Sequence, residues 1–332
     1  MKRTFLALAL LLPFPAGATP WEWGLPAHFP PPPVPADNPM SVEKVELGRR
    51  LFHDTRLSGN GSTSCASCHF QSLAFSDGRP VSAGATGQTT HRNAPGLVNL
   101  AWMASYTWAN PALTSLERQA EVPLFGDDPV EMGVTDANRG EILARLADDE
   151  EYPALFATAF PAMARPITFD SVVKALAAFQ RSLVGARSRH DRFLTGEAVP
   201  TDSERRGMAL FSSPASGCTQ CHGGVLFTDH AAGRAVFHDA TVHGITDSIH
   251  PNRGLFELTG AASDLNRFRA PSLREITLTA PYMHDGRYPD LETVLTHYAR
   301  RSFSTAERND LIAFLATLRS PRHDRIGLLA GE

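Results

Sequence analysis

Apolar residues recur at helical spacing in two segments of this chain. The first segment has Asp170 near its expected N-cap and contains Val172, Val173, Leu176, Phe179 and Leu183. The second follows a capping box of Ser304 and Glu307 and contains Leu311, Phe314, Leu315 and Leu318. Alternating strand patterns are scarce along the rest of the chain. The pattern therefore predicts a mainly α fold with little β structure.

A short sequence echo predicts two units of similar construction. Residues 48–52 (GRRLF) and 207–211 (GMALF) each close a predicted short helix. The second of these helices opens with Thr201 and Glu204 in capping-box spacing. Two long segments, 84–93 and 223–269, show no regular pattern and are expected to be irregular loops that line a site.

The first eighteen residues have the pattern of a secretory signal peptide. Lys2 and Arg3 precede an apolar run over residues 5–12, and Ala16 and Ala18 form a small-residue cleavage site. The alternative is a retained anchor, but the run is too short to span a bilayer. No other apolar run approaches the roughly 18 residues that a span needs. The sequence therefore predicts a periplasmic protein whose mature form has no membrane span.

The composition is that of a folded protein with two domains. The 332 residues are 42% hydrophobic and 20% charged, which is enough apolar material for two cores. The chain has 31 basic and 35 acidic residues and no basic block, which argues against a nucleic-acid partner. We expect a Pro-rich extended arm over residues 19–40, an N-terminal domain over 41–197 and a C-terminal domain over 198–332.

The four cysteines form two C-x-x-C-H motifs, which are typical of covalent haem c attachment. The first is Cys65, Cys68 and His69, and the second is Cys218, Cys221 and His222. Two intervening residues make a turn that lets both thiols reach the vinyl groups of one porphyrin, and the histidine becomes the proximal iron ligand. A zinc ribbon would need its pairs about 15–20 residues apart, and a thioredoxin-type pair needs no histidine. The motifs therefore predict two haem c groups.

The second axial ligand of the C-terminal haem remains open from the residues alone. Met283, His284, His297 and Tyr298 are all near enough in sequence. Asp290 can cap a helix whose apolar face is Leu291, Val294, Leu295 and Tyr298. Tyr298 then points with the core residues and His297 points away. The alternative is a buried structural tyrosine.

Several longer motifs resemble the bacterial di-haem cytochrome c peroxidase/MauG superfamily over roughly residues 40–320. They are 92–95 (RNAP), 130–133 (VEMG), 270–274 (APSLR) and 278–286 (LTAPYMHDG). Further stretches are similar to the methanobactin-associated, MbnH-like branch, namely 23–26 (WGLP), 37–40 (DNPM), 107–111 (TWANP) and 123–129 (PLFGDDP). The resemblance implies two cytochrome c-like haem domains.

The resemblance also implies roles for individual residues. Tyr298 stands seventeen residues after Pro281, where the peroxidases have a methionine, so it would ligate the C-terminal haem iron as in MauG. Trp108 would carry charge between the haems. The residues over the N-terminal haem would be Gln119, Pro123 and Glu131, with Glu131 moving a peroxide proton. A calcium ion between the haems would be bound by Asn93, Thr279 and Pro281. His91 is interpreted as a loop histidine rather than a distal one.

The function that the resemblance implies is peroxide-driven oxidation of a protein. Hydrogen peroxide would take the two haems to a bis-Fe(IV)-like state, which then oxidises a periplasmic protein substrate by long-range electron transfer. The MbnH-like stretches indicate conversion of tryptophan to kynurenine on a small, MbnP-like, copper-associated partner. The alternatives are a cytochrome c peroxidase that takes electrons from a small cytochrome, and a di-haem electron carrier without chemistry.

Overall fold

The structure, a computed structural model, describes residues 18–231, 233–243, 252–297 and 302–321. Its α-helices in these ranges are α1 (Val42–His53), α2 (Leu116–Phe125), α3 (Arg139–Ala147), α4 (Tyr152–Ala159), α5 (Phe169–Ser182), α6 (Arg189–Leu194), α7 (Asp202–Ser212), α8 (Phe256–Thr259), α9 (Leu291–His297) and α10 (Thr305–Ala316). Two antiparallel two-residue strands, β1 (His238–Asp239) and β2 (Arg267–Phe268), form the sheet. The predicted mainly α fold with little β structure is confirmed. All but the last residue of the predicted signal peptide, and Tyr298, lie outside the described ranges.

Helices α1 and α5 cross at a glycine. A Cβ atom at Gly48 would lie 1.9 Å from the carbonyl oxygen of Ala175 and 2.9 Å from Cβ of Phe179. Only glycine therefore lets the two backbones approach this closely. The N-cap of α5 is Thr168, whose side chain accepts from the Ser171 amide, and Asp170 lies close to it in the first turn, as the sequence predicts.

Helices α7 and α10 repeat this crossing in the second half of the chain. A Cβ atom at Gly207 would lie 1.8 Å from the carbonyl oxygen of Asp310 and 2.8 Å from Cβ of Phe314. Both predicted capping boxes of this pair, Thr201 with Glu204 and Ser304 with Glu307, are formed. The sequence echo thus corresponds to a repeated helix pair beside each C-x-x-C-H motif.

The apolar core is divided into two main clusters and a small one. The largest surrounds α1 and α5, and the second surrounds α7 and α10. The small cluster contains the buried residues Trp108, Ala109, Ala240 and Phe268, with Met283 packed against it. Its members come from both halves of the chain, so the third cluster joins them.

The Pro-rich arm is attached to the body of the protein. The indole N–H of Trp102 donates to the carbonyl of Pro30 at 2.9 Å. Phe29 is buried between this indole, 5.7 Å away, and the guanidinium of Arg274, 4.7 Å away. Arg274 in turn forms a fully buried ion pair with Asp191 on α6. The arm therefore packs where segments from both halves meet.

Candidate functional site

Each C-x-x-C-H motif begins with a short 3-10 turn. The turns are Cys65–Ser67 and Cys218–Gln220, and the amide of the second cysteine bonds back to the carbonyl of the first. All four thiols are free of disulfide bonds. Each turn places two thiols and the following imidazole along one cavity wall.

The two motif histidines are held in the tautomer that binds iron. Nδ1 of His69 lies 2.6 Å from the carbonyl of Phe75, and Nδ1 of His222 lies 3.3 Å from that of Phe227. A carbonyl only accepts, so Nδ1 carries the proton and Nε2 keeps its lone pair for a metal. Burial lowers the pKa of both imidazoles, that of His222 to about 4, which keeps them neutral.

These motifs line two separate cavities, of about 440 Å³ in the N-terminal half and about 230 Å³ in the C-terminal half. The N-terminal cavity contains Cys65, Cys68 and His69. The C-terminal cavity contains Cys218, Cys221 and His222 within mainly apolar walls. Each cavity thus brings together two thiols, a neutral imidazole and apolar walls, and this donor set fits one haem c.

Helix α2 and the segment after it line the same cavity as His69. Gln119 and Pro123 are four residues apart on α2, so they share a face, and both line the cavity. The carbonyl of Pro123 accepts the Met132 amide at 2.9 Å, which places Glu131 in the same wall. Burial raises the pKa of Glu131 to about 7. The structure therefore gathers the three predicted distal residues around one space.

The loop histidine His91 lies at the edge of this cavity. Its Nε2 is 3.0 Å from the carboxylate of Asp128, and both side chains are partly exposed. This arrangement agrees with a loop residue whose ring is turned to a neighbouring carboxylate.

Trp108 lies between the cavities and lines both of them. Its indole N–H donates to the carbonyl of Asn93 at 2.9 Å. The guanidinium carbon of Arg269 lies 5.6 Å from the indole centre, and the ring of His284 packs edge-on at 6.5 Å. Arg269 could not be recognised from the sequence, because a single arginine outside a periodic element carries no spacing signal.

The structure distinguishes between the candidates for the second axial ligand of the C-terminal haem. The α9 residues of the predicted apolar face that are described, Leu291, Val294 and Leu295, line the C-terminal cavity, as do Met283 and His284. His297 is exposed, and its ring stacks on Tyr288 at 5.2 Å. Tyr298 lies outside the described residues and stays a prediction.

The three predicted calcium residues are all on the wall of the C-terminal cavity. Asn93, Thr279 and Pro281 all line it. The hydroxyl of Thr279 donates to the Ile276 carbonyl at 3.3 Å, so its oxygen keeps lone pairs for a cation. Within the described ranges, no cluster of three acidic, histidine or cysteine groups could hold a metal ion. Calcium between the haems stays a prediction.

Known proteins share both the sequence and the fold of this chain. The profile of the family of di-haem cytochrome c peroxidases, CCP_MauG, matches residues 42–199. The methylamine utilization protein MauG of Methylorubrum extorquens is 38% identical, over 87% of this chain and 81% of that protein. Cytochrome c551 peroxidase of Nitrosomonas europaea is 32% identical, over 90% of this chain and 86% of that protein.

A solved structure extends the similarity. The crystal structure of a MauG-like protein associated with microbial copper homeostasis has a TM-score of 0.87 and 45% identity, covering 91% of this chain and 97% of that one. No helix among the described residues is long and apolar enough to span a membrane. The chain belongs to the di-haem cytochrome c peroxidase/MauG family of oxidoreductases that act with peroxide, and this membership implies two haem c groups.

Proposed function

We propose that this protein is a periplasmic oxidase that uses hydrogen peroxide to oxidise a tryptophan of a protein substrate. The observation that carries the proposal is the position of Trp108, which, of the aromatic rings in the described residues, is the one shared by both cavities. When bound, the two haems supply the redox chemistry, which is peroxide reduction on one side and oxidation of a remote donor on the other. Trp108 provides an oxidisable ring between the two sites.

The N-terminal cavity is the better site for peroxide. Its wall carries the amide side chain of Gln119. It also holds Glu131, whose pKa of about 7 allows the carboxylate to take a proton at neutral pH and to return it. We assign to Glu131 the transfer of a proton between the two oxygens of peroxide. Gln119 offers an amide N–H in the same wall.

A protein donor fits the walls of the C-terminal cavity. Aliphatic residues of α9 and α10 line it, including Leu291, Val294, Leu311 and Leu315. Electron transfer through such a wall needs no contact between the substrate and the cofactor. In this arrangement Tyr298 is the proposed second ligand, and a calcium ion beside Asn93, Thr279 and Pro281 is proposed to fix the segment between the cavities.

The similarity to a protein associated with copper homeostasis supports the choice of substrate. We infer that the substrate is a small, MbnP-like, copper-associated periplasmic protein and that its tryptophan is converted to kynurenine. The alternative is a cytochrome c peroxidase, which the 32% identity to the Nitrosomonas europaea enzyme favours.

The test uses the purified full di-haem protein in its diferric form. Peroxide is added with a purified MbnP-like protein, and the partner is analysed by peptide mass spectrometry. We expect peroxide-dependent conversion of one tryptophan to kynurenine, and no conversion in a partner variant with phenylalanine at that position. A diferric protein that ignores peroxide until one haem is reduced, and then oxidises a reduced small cytochrome, would establish the peroxidase instead.

A further inference from the structure

Arg269 is a buried cation without a carboxylate partner among the described residues. Only 6% of the surface of Arg269 is exposed to solvent. Nε–H donates to the carbonyl of Thr107 at 2.5 Å, and this is the side-chain hydrogen bond that the guanidinium forms within the described chain. A guanidinium has five N–H donors, so the four on the Nη atoms remain available.

The other buried arginines differ from Arg269 in this respect. Arg274, whose side chain is 1% exposed, bonds both oxygens of Asp191 at 2.8 Å. Arg181, at 3%, pairs with Glu117 at 2.9 Å. Buried charges in proteins are normally paired in this way, because an uncompensated one is costly. Burial lowers the pKa of Arg269 to about 10, so it still carries its charge at neutral pH.

The position of Arg269 indicates what neutralises it. The residue lines both haem cavities and follows β2, where its amide bonds the carbonyl of Trp108 at 3.0 Å. The other guanidinium in the C-terminal cavity, that of Arg274, is already paired with the carboxylate of Asp191. Nε2 of His238 lies 2.9 Å from a carboxylate oxygen of Asp229. Haem carries two propionate carboxylates, and a haem in either cavity would bring these anions to the cavity that Arg269 lines.

We propose that Arg269 binds one propionate from each of the two haems. Its Nη donors can serve two carboxylates through charge-assisted hydrogen bonds, for which the planar guanidinium is well suited. The inference needs two haems but neither the identity of the protein substrate nor the role of Trp108. It therefore goes beyond the proposed function.

A shared cation has a consequence that can be measured without peroxide or substrate. A positive charge beside a haem favours the ferrous state, which has one positive charge fewer than the ferric state. Removing the Arg269 charge also leaves the propionates uncompensated, which stabilises the ferric state further. Arg269 should therefore raise the reduction potentials of both haems.

The experiment is a spectroelectrochemical titration of the purified di-haem protein. We expect Arg269→Gln to lower the ferric/ferrous midpoint potentials of both haems and Arg269→Lys, which keeps the charge, to lower them less. Arg267→Gln is the matched control, because Arg267 lies two residues away and lines neither cavity. We expect it to leave both potentials unchanged.

Several outcomes would overturn the proposal. One is a shift confined to one haem, another is no shift in either, and a third is an equal shift in the Arg267→Gln control. Haem content is measured first for every variant. If Arg269→Gln does not retain both haems, a crystal structure of the wild-type holoprotein decides. It should show a propionate of each haem within hydrogen-bond distance of an Arg269 Nη atom, and contact with one haem or none would refute the shared site.

Discussion

The crossing of α7 and α10 yields a sharp prediction for Gly207→Ala. The new Cβ would lie 1.8 Å from the Asp310 carbonyl oxygen and 2.5 Å from its carbon, whereas ordinary contacts begin at 3.4 Å. The obstacle is backbone, so no rotamer change relieves it. The helices must move apart, and the contact between the rings of Phe211 and Phe314, now 5.2 Å between centroids, must loosen.

Two opposing contributions set the size of the effect. Alanine in a helix interior is favoured over glycine by about 0.5–1 kcal/mol. Overpacking of a well-packed interface costs about 1–3 kcal/mol, and the cost is at the upper end when backbone must shift. The steric contribution is larger, so we expect Gly207→Ala to lower the free energy of unfolding by about 2 kcal/mol.

Urea unfolding of the di-haem protein, followed by far-UV circular dichroism, measures this change. Gly140→Ala in α3 is the control, since nothing lies within 4 Å of a Cβ at that position. It should leave stability unchanged or slightly higher. Gly48→Ala should behave like Gly207→Ala. A Gly207→Ala protein as stable as the wild type, with Gly140→Ala behaving as expected, would refute the steric argument.

Three further predictions concern the site and its frame. Glu131→Gln should slow the reaction with peroxide by about 10²- to 10⁴-fold and abolish its rise with pH through about 7, because the carboxylate is the proton acceptor; stopped-flow absorption from pH 5 to 9 measures this. Trp108→Phe should lower protein oxidation more than peroxide consumption, and equal losses in the two assays would contradict a bridging role. Asp191→Asn should cost about 3–5 kcal/mol of stability, since Arg274 then stays buried without its carboxylate; thermal unfolding tests this against Asp202→Asn, an exposed pair.

Local signals in the sequence predicted much of the frame. The capping boxes at Thr201 and Ser304 are formed because a hydroxyl and a carboxylate three residues apart satisfy amides of the same turn. The C-x-x-C-H spacing likewise fixes its own turn. Asp170 was predicted near the start of α5 and lies in its first turn, two residues after the capping Thr168.

Long-range pairs could not be predicted from local spacing. Arg274 and Asp191 are 83 positions apart. Although Arg274 belongs to the 270–274 motif, no local spacing indicates that it pairs with Asp191. Arg269 is recognisable only once it is known to be buried beside both cavities. The wall formed by Gln119, Pro123 and Glu131 could be predicted only in part. The spacing of Gln119 and Pro123 places them on one helix face, but Glu131 is brought to them by a tertiary hydrogen bond of its neighbour Met132.

The two glycine crossings have a consequence for how the halves came to differ. Their closest approaches agree to within a tenth of an ångström, 1.9 and 1.8 Å to the carbonyl oxygen and 2.9 and 2.8 Å to the phenylalanine Cβ. The two helix crossings thus have the same spacing, and the cavities beside them differ in the side chains that other segments place there, such as Gln119 and Glu131 in the N-terminal cavity and Glu275 in the C-terminal one. A glycine therefore sets the same helix spacing in both halves, whichever residues line the cavity beside it.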